Sequence, residues 1–332
     1  MSNLKVAVIM GGTSFERDFS LKSGKNVCRA LEAAGHSVLP LDADSHLVDT
    51  LRSEVPDVAF VCVHGAGGED GTIPALLEFL RIPYVGSTPA VCRASYNKPD
   101  VPFIMKRTFK SEEHHAIWPA EVALPSSAFR DLGAAGALDL IADRIEGGYP
   151  LAVKPARGGS AMGVSKVECQ EELGSAIMGA LAFDDTVLIQ QWIEGVEISC
   201  TVYKGEDFIE VLPAVEIYKK DGLYDTEARL APEKVERYCP VRSDSLGHYE
   251  AVVEEIREII DTCALEVFEA YGCRDLARVD LIWDGENCYI LDVKTFPGLS
   301  ECSLAPLSAK SAGYSMSDIC SHLVNMAYMR GC

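Results

Sequence analysis

The tightest constraint in this chain is the stretch ARVDLIWDGENCYILDVK (277–294). Two β-favouring runs flank a short polar turn, which reads as a β-hairpin. With the turn at Gly285-Glu286-Asn287, Asp280 faces Asp292 and Arg278 faces Lys294 across the strands. These four side chains share one face because strand side chains alternate with period two. Val279, Leu281, Leu291 and Val293 then point to the other face, into a core. A slip of one residue would exchange the two faces. Carboxylates opposed at roughly 5 Å between Cβ atoms are unfavourable without a cation between them. A divalent ion with oxygen ligands would satisfy them. So would a lattice in which Arg278 and Lys294 neutralise both acids without metal. The hairpin alone leaves both readings open.

The 332 residues are enough for two or three packed units. A hydrophobic share of 48% and a charged share of 24% are ordinary for a globular protein. The net charge of −20 excludes a general phosphate-backbone binder, so no nucleic-acid partner is expected. Any anionic ligand must be met by locally placed cations. Twelve cysteines without a CxxC pair indicate reduced thiols in a cytoplasmic protein rather than a disulfide framework or zinc site. MSNLKVAVIMGG reads as a first strand, not a signal peptide. No apolar stretch approaches the roughly 18 to 20 residues of a membrane span.

Residues 1–95 alternate strand and helix: KVAVIM, LKSGKNVCRALEAAG, SVLPLDA, DVAFVCVHG, TIPALLEFLR and IPYVGS. That rhythm predicts an α/β unit with a parallel sheet, with GGTS and HGAGGEDG as loops at the strand ends where ligands collect. From residue 96 the pattern becomes α+β. Residues 96–187 hold a Gly-rich loop between strands, and 188–332 hold long β segments, the hairpin and a C-terminal helix. Val252, Ile256, Ile259, Cys263, Val267 and Tyr271 predict a core-facing helix over 249–271.

VKPARGGSAMGVSKV puts Lys154 at a strand end, followed by Gly158, Gly159 and Gly163 around Ser160. Glycines let backbone N–H groups approach phosphate oxygens, and lysine adds a point charge. Alone, such a loop is more often a flexible turn, and no Walker A pattern is present. LIQQWIEGVEIS (188–199) offers an apolar cover for a flat base, amides at its edge and a carboxylate for a ribose, or simply core and edge.

The order of segments is more specific than any one of them. Lys98, Lys154 with its loop, QQWIEGVE, RVD and LDVKTFPG together resemble the ATP-grasp superfamily. MGGTSFERDFSLKSG, HGAGGEDGTIPALLE, KPARGGSAMGVSKV and RVDLIW…LDVKTFPGLSECSLAPLSAKSAG resemble the signatures of the D-alanine–D-alanine ligase family, over nearly the whole chain. The resemblance implies an ATP-grasp fold behind an N-terminal parallel-sheet domain. It implies a ligase for peptidoglycan precursors that activates one D-alanine as an acyl phosphate and couples it to a second. Lys98 and Lys154 would hold phosphates. Gln190, Gln191, Ile193 and Glu197 would line the nucleoside pocket, and Asp280 and Asp292 would carry magnesium or manganese. Glu16 would pair with the first D-alanine's ammonium, and Arg278 with the Gly298 N–H would stabilise the oxyanion. Ser303 and Leu304 would receive the second substrate's carboxylate, with His64 nearby or merely bonded to backbone. A homodimer through the N-terminal domain is also implied.

The departures from the family pattern matter as much. Asp292-Val-Lys294 stands where the family has Glu-x-Asn, and lysine offers only donors where asparagine offers an oxygen. Lys294 is therefore expected to replace one magnesium, contacting phosphate oxygens or Asp292. Gln190-Gln191 replaces Glu-Lys, Gly159-Ser160-Ala161 keeps only the first hydroxyl of Gly-Ser-Ser, and Asn97-Lys98 replaces Asp-Lys. In the loop LYDTEARLAPEK, Arg229 stands for a phosphate-contacting lysine and Leu230 for a tyrosine bonded to Ser160 and Glu16. Tyr224 is the available replacement phenol. The second substrate thus stays open between D-alanine, D-lactate and D-serine, beside a degenerate ATP-binding relative without turnover.

Overall fold

The computed structural model describes residues 3–108, 115–205, 207–219, 235–247 and 249–332. Tyr224, Arg229 and Leu230 lie outside these residues. The N-terminal unit holds strands β1 (Lys5–Met10), β2 (Ser37–Asp42), β3 (Val58–Val61) and β4 (Tyr84–Val85) in a parallel sheet ordered β2-β1-β3-β4. Helices α1 (Arg17–Ala33), α2 (Leu47–Glu54) and α3 (Thr72–Leu80) make the crossovers. Val6, Ala7, Val8 and Ile9 of β1 are all fully buried, as expected for a strand covered on both faces.

Helices α4 (Pro89–Tyr96) and α5 (Val101–Thr108) lead out of this unit, and β5 (Ala116–Ile117) joins a later sheet. A second, antiparallel sheet follows, built from β6 (Glu121–Pro125), β7 (Leu151–Pro155), β8 (Ser165–Val167) and β9 (Thr186–Gln191), ordered β6-β9-β7-β8. Helices α6 (Ser126–Leu132), α7 (Asp139–Arg144) and α8 (Gln170–Leu181) accompany it. Leu151, Val153, Val187 and Ile189 pack with Leu173 and Ile177 of α8 on one face. Leu188, Gln190 and Lys154 alternate to the other face.

The third sheet has six strands, ordered β12-β11-β10-β13-β14-β5. It contains β10 (Val196–Lys204), β11 (Ile209–Tyr218), β12 (Glu236–Tyr238), β13 (Leu276–Trp283) and β14 (Cys288–Lys294). Helices α9 (Ser243–Leu246), α10 (Glu250–Tyr271), α11 (Leu304–Ser311) and α12 (Met316–Arg330) complete the chain. Ile256, Cys263, Val267 and Tyr271 of α10 are buried as expected, with Val253, Ile260 and Phe268 beside them. Val252, in contrast, is 44% exposed. Each fully buried aliphatic side chain here contributes on the order of 2 kcal/mol.

The β13–β14 hairpin has the expected register at its mouth, Arg278 opposite Lys294 and Asp280 opposite Asp292. Beyond Asp280 the register shifts, and Leu281 pairs with Ile290. Leu291 is the extra residue of this bulge, so it lines the site cavity, and Ile290 takes the core position expected for Leu291. The bulge also lengthens the connection to residues 284–287, where Asp284 Oδ1 accepts from the N–H groups of Glu286 (2.9 Å) and Asn287 (2.7 Å).

Residues from the end of the chain enter the first unit's core. Ile319, Cys320, Leu323, Val324 and Ala327 of α12 pack with Val6, Val8, Val27, Leu31 and Phe60. Among the described residues, no helix is long and apolar enough to cross a membrane.

Candidate active site

Two cavities meet at the carboxyl-terminal end of β14. The first, of about 530 Å³, is lined at one end by Gln190, Gln191, Ile193 and Glu197. At its other end stand Lys98, Lys154, the loop from Gly158 to Met162, Asp280, Asp292 and Lys294. The second, of about 460 Å³, is lined by Glu16, His64, Glu69, Gly298, Ser303 and Leu304. Ser160, Arg278 and Lys294 belong to both. The residues singled out in the described sequence therefore gather into two adjoining chambers.

The phosphate-loop end is strongly cationic and buried. Lys98 Nζ donates to Gly158 O at 2.8 Å and lies 3.8 Å from Asp292 Oδ1. Lys154 sits on β7, with Nζ 5.8 Å from the Trp118 ring centre. Burial and the neighbouring Lys98 push Lys154 down to about 8. Ser160 and Ala161 both adopt left-handed φ values of 54°. That bend brings Ser160 Oγ within 2.5 Å of Glu16 Oε1, linking the loop to the first unit. At Gly159 a Cβ would come 2.7 Å from Lys294 Nζ and 2.8 Å from Glu16 Oε1, so any larger residue would have to displace one of these charged ends.

The hairpin charges are paired by protein groups. Arg278 forks onto Asp280, Nε to Oδ1 at 2.8 Å and Nη2 to Oδ2 at 2.7 Å, and Ser199 Oγ donates to Oδ1 at 2.7 Å. Lys294 Nζ lies 2.9 Å from Glu69 Oε2, 3.2 Å from Asp292 Oδ2 and 3.4 Å from Gly158 O. An ammonium has three N–H donors, and these three oxygens match them. Burial opposes the Lys294 charge, but Asp292 and Glu69 outweigh it and hold the ammonium well above the ordinary lysine range. Burial likewise opposes the Asp292 charge, and Lys294, Lys98 and Lys154 hold this carboxyl well below the ordinary range. Of the two contacts expected for Lys294, the one to Asp292 is present.

A chain of polar contacts runs from Lys294 into the second cavity. Glu69 Oε1 lies 3.7 Å from His64 Nδ1, and His64 Nε2 is 2.9 Å from Ser23 Oγ. The Leu299 N–H donates to that same Ser23 Oγ at 3.0 Å, which fixes the backbone next to Gly298. Ser303 precedes α11, and its Oγ accepts from the Ser300 N–H at 3.1 Å. Leu304 lines the cavity and also packs on Val215 and Ile217.

Three acidic residues with clear places here were not singled out from the sequence. Glu69 lay inside the quoted HGAGGEDG loop, and a buried acid beside a histidine at a strand end was its only signal. Glu121 accepts from Gln190 Nε2 at 2.6 Å and from the Trp118 indole. Glu216 is buried in the first cavity and accepts from Arg242 Nη2 at 2.6 Å and Ser245 Oγ at 2.8 Å. Gln190 and Gln191 both line the cavity, but strand alternation separates their side chains, Gln190 pairing with Ala152 and Gln191 with Leu151.

Among the described residues, no group of three or more His, Cys, Asp or Glu side chains could hold a metal ion by itself. Asp280 and Asp292 face one another in register and line the same cavity. Two carboxylates suit one divalent cation with remaining ligands from phosphate and water. Asp280 already gives both oxygens to Arg278, and Asp292 is paired with Lys294 and Lys98, so a cation would have to displace some of these contacts.

Comparison with known proteins identifies the family of the chain. Residues 138–325 match the model of the D-ala D-ala ligase C-terminus, and residues 45–87 match the model of the D-ala D-ala ligase N-terminus. The D-alanine–D-alanine ligase of Desulforudis audaxviator is 37% identical over 327 residues, covering 98% of this chain and 99% of the relative. That of Halalkalibacterium halodurans is 36% identical over 329 residues, covering 98% and 99%. The crystal structure of the Bacillus anthracis D-alanine–D-alanine ligase complexed with ATP superposes with a TM-score of 0.76 at 25% identity, covering 98% of each chain. With this sequence similarity over its full length and the ATP-grasp architecture in place, the chain belongs to the D-alanine–D-alanine ligase family.

Proposed function

We propose that this chain uses ATP to activate D-alanine as D-alanyl phosphate in one cavity and joins it to a second D-alanine in the other. The observation that carries this reading is the wall shared by the two cavities, formed by Ser160, Arg278 and Lys294. A phosphoryl group held by Lys98 and Lys154 would meet a carboxylate at that wall. ATP takes the larger cavity, with its base towards Gln190 and Ile193, its ribose towards Glu197 and its phosphates on the 158–162 loop.

In the second cavity Glu16 receives the ammonium of the first D-alanine, and Ser160 holds Glu16 in place. The carboxylate attacks the γ-phosphorus, forming the acyl phosphate and releasing ADP. The amine of the second D-alanine then attacks the acyl carbon. Arg278 and the Gly298 N–H face the developing oxyanion, and phosphate leaves. Ser303 and the start of α11 receive the second carboxylate, since helix N-termini favour anions. His64, oriented by Glu69 and Ser23, stands beside this acceptor. Magnesium, held by Asp280 and Asp292, supplies neutralisation of the phosphate charge when bound. Lys294, with its donors on Glu69, Asp292 and Gly158, acts as a fixed counter-charge and not as a ligand to phosphate.

The test is phosphate release from ATP with magnesium, alone and with D-alanine, D-lactate or D-serine, with products identified by mass. D-alanine-dependent release with D-alanyl-D-alanine as product supports the proposal. A mixed product with D-lactate or D-serine would replace the acceptor, and absence of turnover by folded, ATP-binding protein would replace the enzyme reading. A cytoplasmic homodimer joined through the N-terminal unit accompanies this function, and light scattering of the purified protein tests the dimer.

A further inference from the structure

The base end of the larger cavity holds a polar network that no step of the reaction uses. Glu121 on β6 is the direct cross-strand neighbour of Gln190 on β9. Gln190 is 1% exposed yet lines the cavity, and its Nε2 donates to Glu121 Oε2 at 2.6 Å. The Trp118 indole N–H donates to the same carboxylate oxygen. Neither Glu121 nor Trp118 is part of the cavity wall, so neither touches a ligand there directly, and their hydrogen bonds act on it through Gln190.

We propose that Glu121 is a positioning residue that fixes the Gln190 amide with its carbonyl oxygen towards the nucleobase, selecting a purine with an amino group at position six. The proposal rests on the ATP reading above. A free glutamine side chain has a donor end and an acceptor end, and by turning over it can read either kind of partner. An ionised carboxylate only accepts, so it dictates which end faces it. With Nε2 held by Glu121, Oε1 is the remaining polar atom of the side chain, and among the described residues it has no hydrogen-bond partner. An adenine amino group would satisfy that oxygen. A six-oxo purine would set acceptor against acceptor in a buried place, which is the kind of mismatch that rejects an analogue most strongly.

The experiment compares ATP with inosine triphosphate, which carries an oxo group at that position. Dissociation constants are measured by displacement of a fluorescent nucleotide, and Michaelis constants by phosphate release, for the wild type and Glu121→Gln. The wild type is expected to prefer ATP by about 100-fold. In Glu121→Gln the new amide can donate as well as accept, so Gln190 turns over and the preference falls at least about tenfold, mainly through tighter inosine triphosphate binding. A purely structural role for Glu121 would weaken both nucleotides alike and leave the ratio unchanged, which overturns the proposal. Should the variant fail to fold, the wild-type ratio still decides, because equal binding of the two nucleotides overturns the proposal by itself. Wild-type protein that binds neither nucleotide would overturn the ATP reading and this proposal together.

Discussion

Lys294 and Glu69 form an ion pair between the hairpin and the N-terminal unit, with Nζ 2.9 Å from Oε2 and both side chains buried. The ammonium also touches Asp292 and the Gly158 carbonyl, so one cation joins the three units of the fold. Replacing it by methionine leaves the buried Glu69 without its ammonium, while Asp292 keeps only the more distant Lys98 and Lys154. The expected loss is about 3–5 kcal/mol, the usual effect of breaking a buried pair from one side. Urea unfolding of Lys294→Met, Glu69→Gln and the double variant measures it. The double variant should lose less than the sum of the singles, and strict additivity would show that the pair does not couple.

Ser160 donates to Glu16 at 2.5 Å, a hydrogen bond to a carboxylate. Such bonds contribute roughly 1.5–3 kcal/mol. Ser160→Ala is therefore expected to lower kcat/KM for D-alanine by roughly 10–100-fold. The dissociation constant for ATP should move much less, because the hydroxyl is directed at Glu16. An equal loss for both substrates would place the serine on the nucleotide instead.

Two glycines give opposite expectations. At Gly159 an added methyl meets Lys294 Nζ at 2.7 Å and Glu16 Oε1 at 2.8 Å. Gly159→Ala should cost about tenfold or more in kcat/KM, since displacing either charged group disturbs both cavities. Gly179 lies within α8 with nothing within 4 Å of an added Cβ. Gly179→Ala should raise stability by about 0.5–1 kcal/mol in thermal or urea unfolding, through helix propensity alone.

Asp261 on α10 lies outside the site. Burial pushes its carboxyl up to about 6, with Arg257 opposing the shift. The ordinary value is near 3.8, so the folded chain holds this proton more tightly than the unfolded chain. The associated stability is present below about 4 and is lost as pH rises through about 6. Asp261→Asn removes that dependence and should stabilise the protein at pH 7.5 by about 2 kcal/mol. Urea titrations at pH 4.5 and 7.5 check this, and an equal effect at both values would contradict it.

What could be read from the sequence followed from periodicity. The opposition of Asp280 to Asp292 came from counting in twos around one turn. The same counting placed Leu291 in the core, because a β-bulge adds a residue without any mark in composition. Glu69, Glu121 and Glu216 were not singled out for a different reason. Each is an acid whose partner is far away in sequence, Lys294, Gln190 and Arg242 respectively, and no local pattern announces such a pair. Lys294 stood out as a departure from a pattern of oxygen ligands, but Glu69 explains its setting only in three dimensions. Arg229, Leu230 and Tyr224 lie outside the described residues.

The packing of α12 against β1, β3 and α1 bears on how the chain is made. Val6 and Val8 are made long before Leu323, Val324 and Ala327, the α12 residues that cover them. Until α12 has been made, part of one face of the first sheet stays open. Its core can close only once α12 has emerged, so the strands of this sheet are the ones most in need of protection while the residues between them and α12 are added.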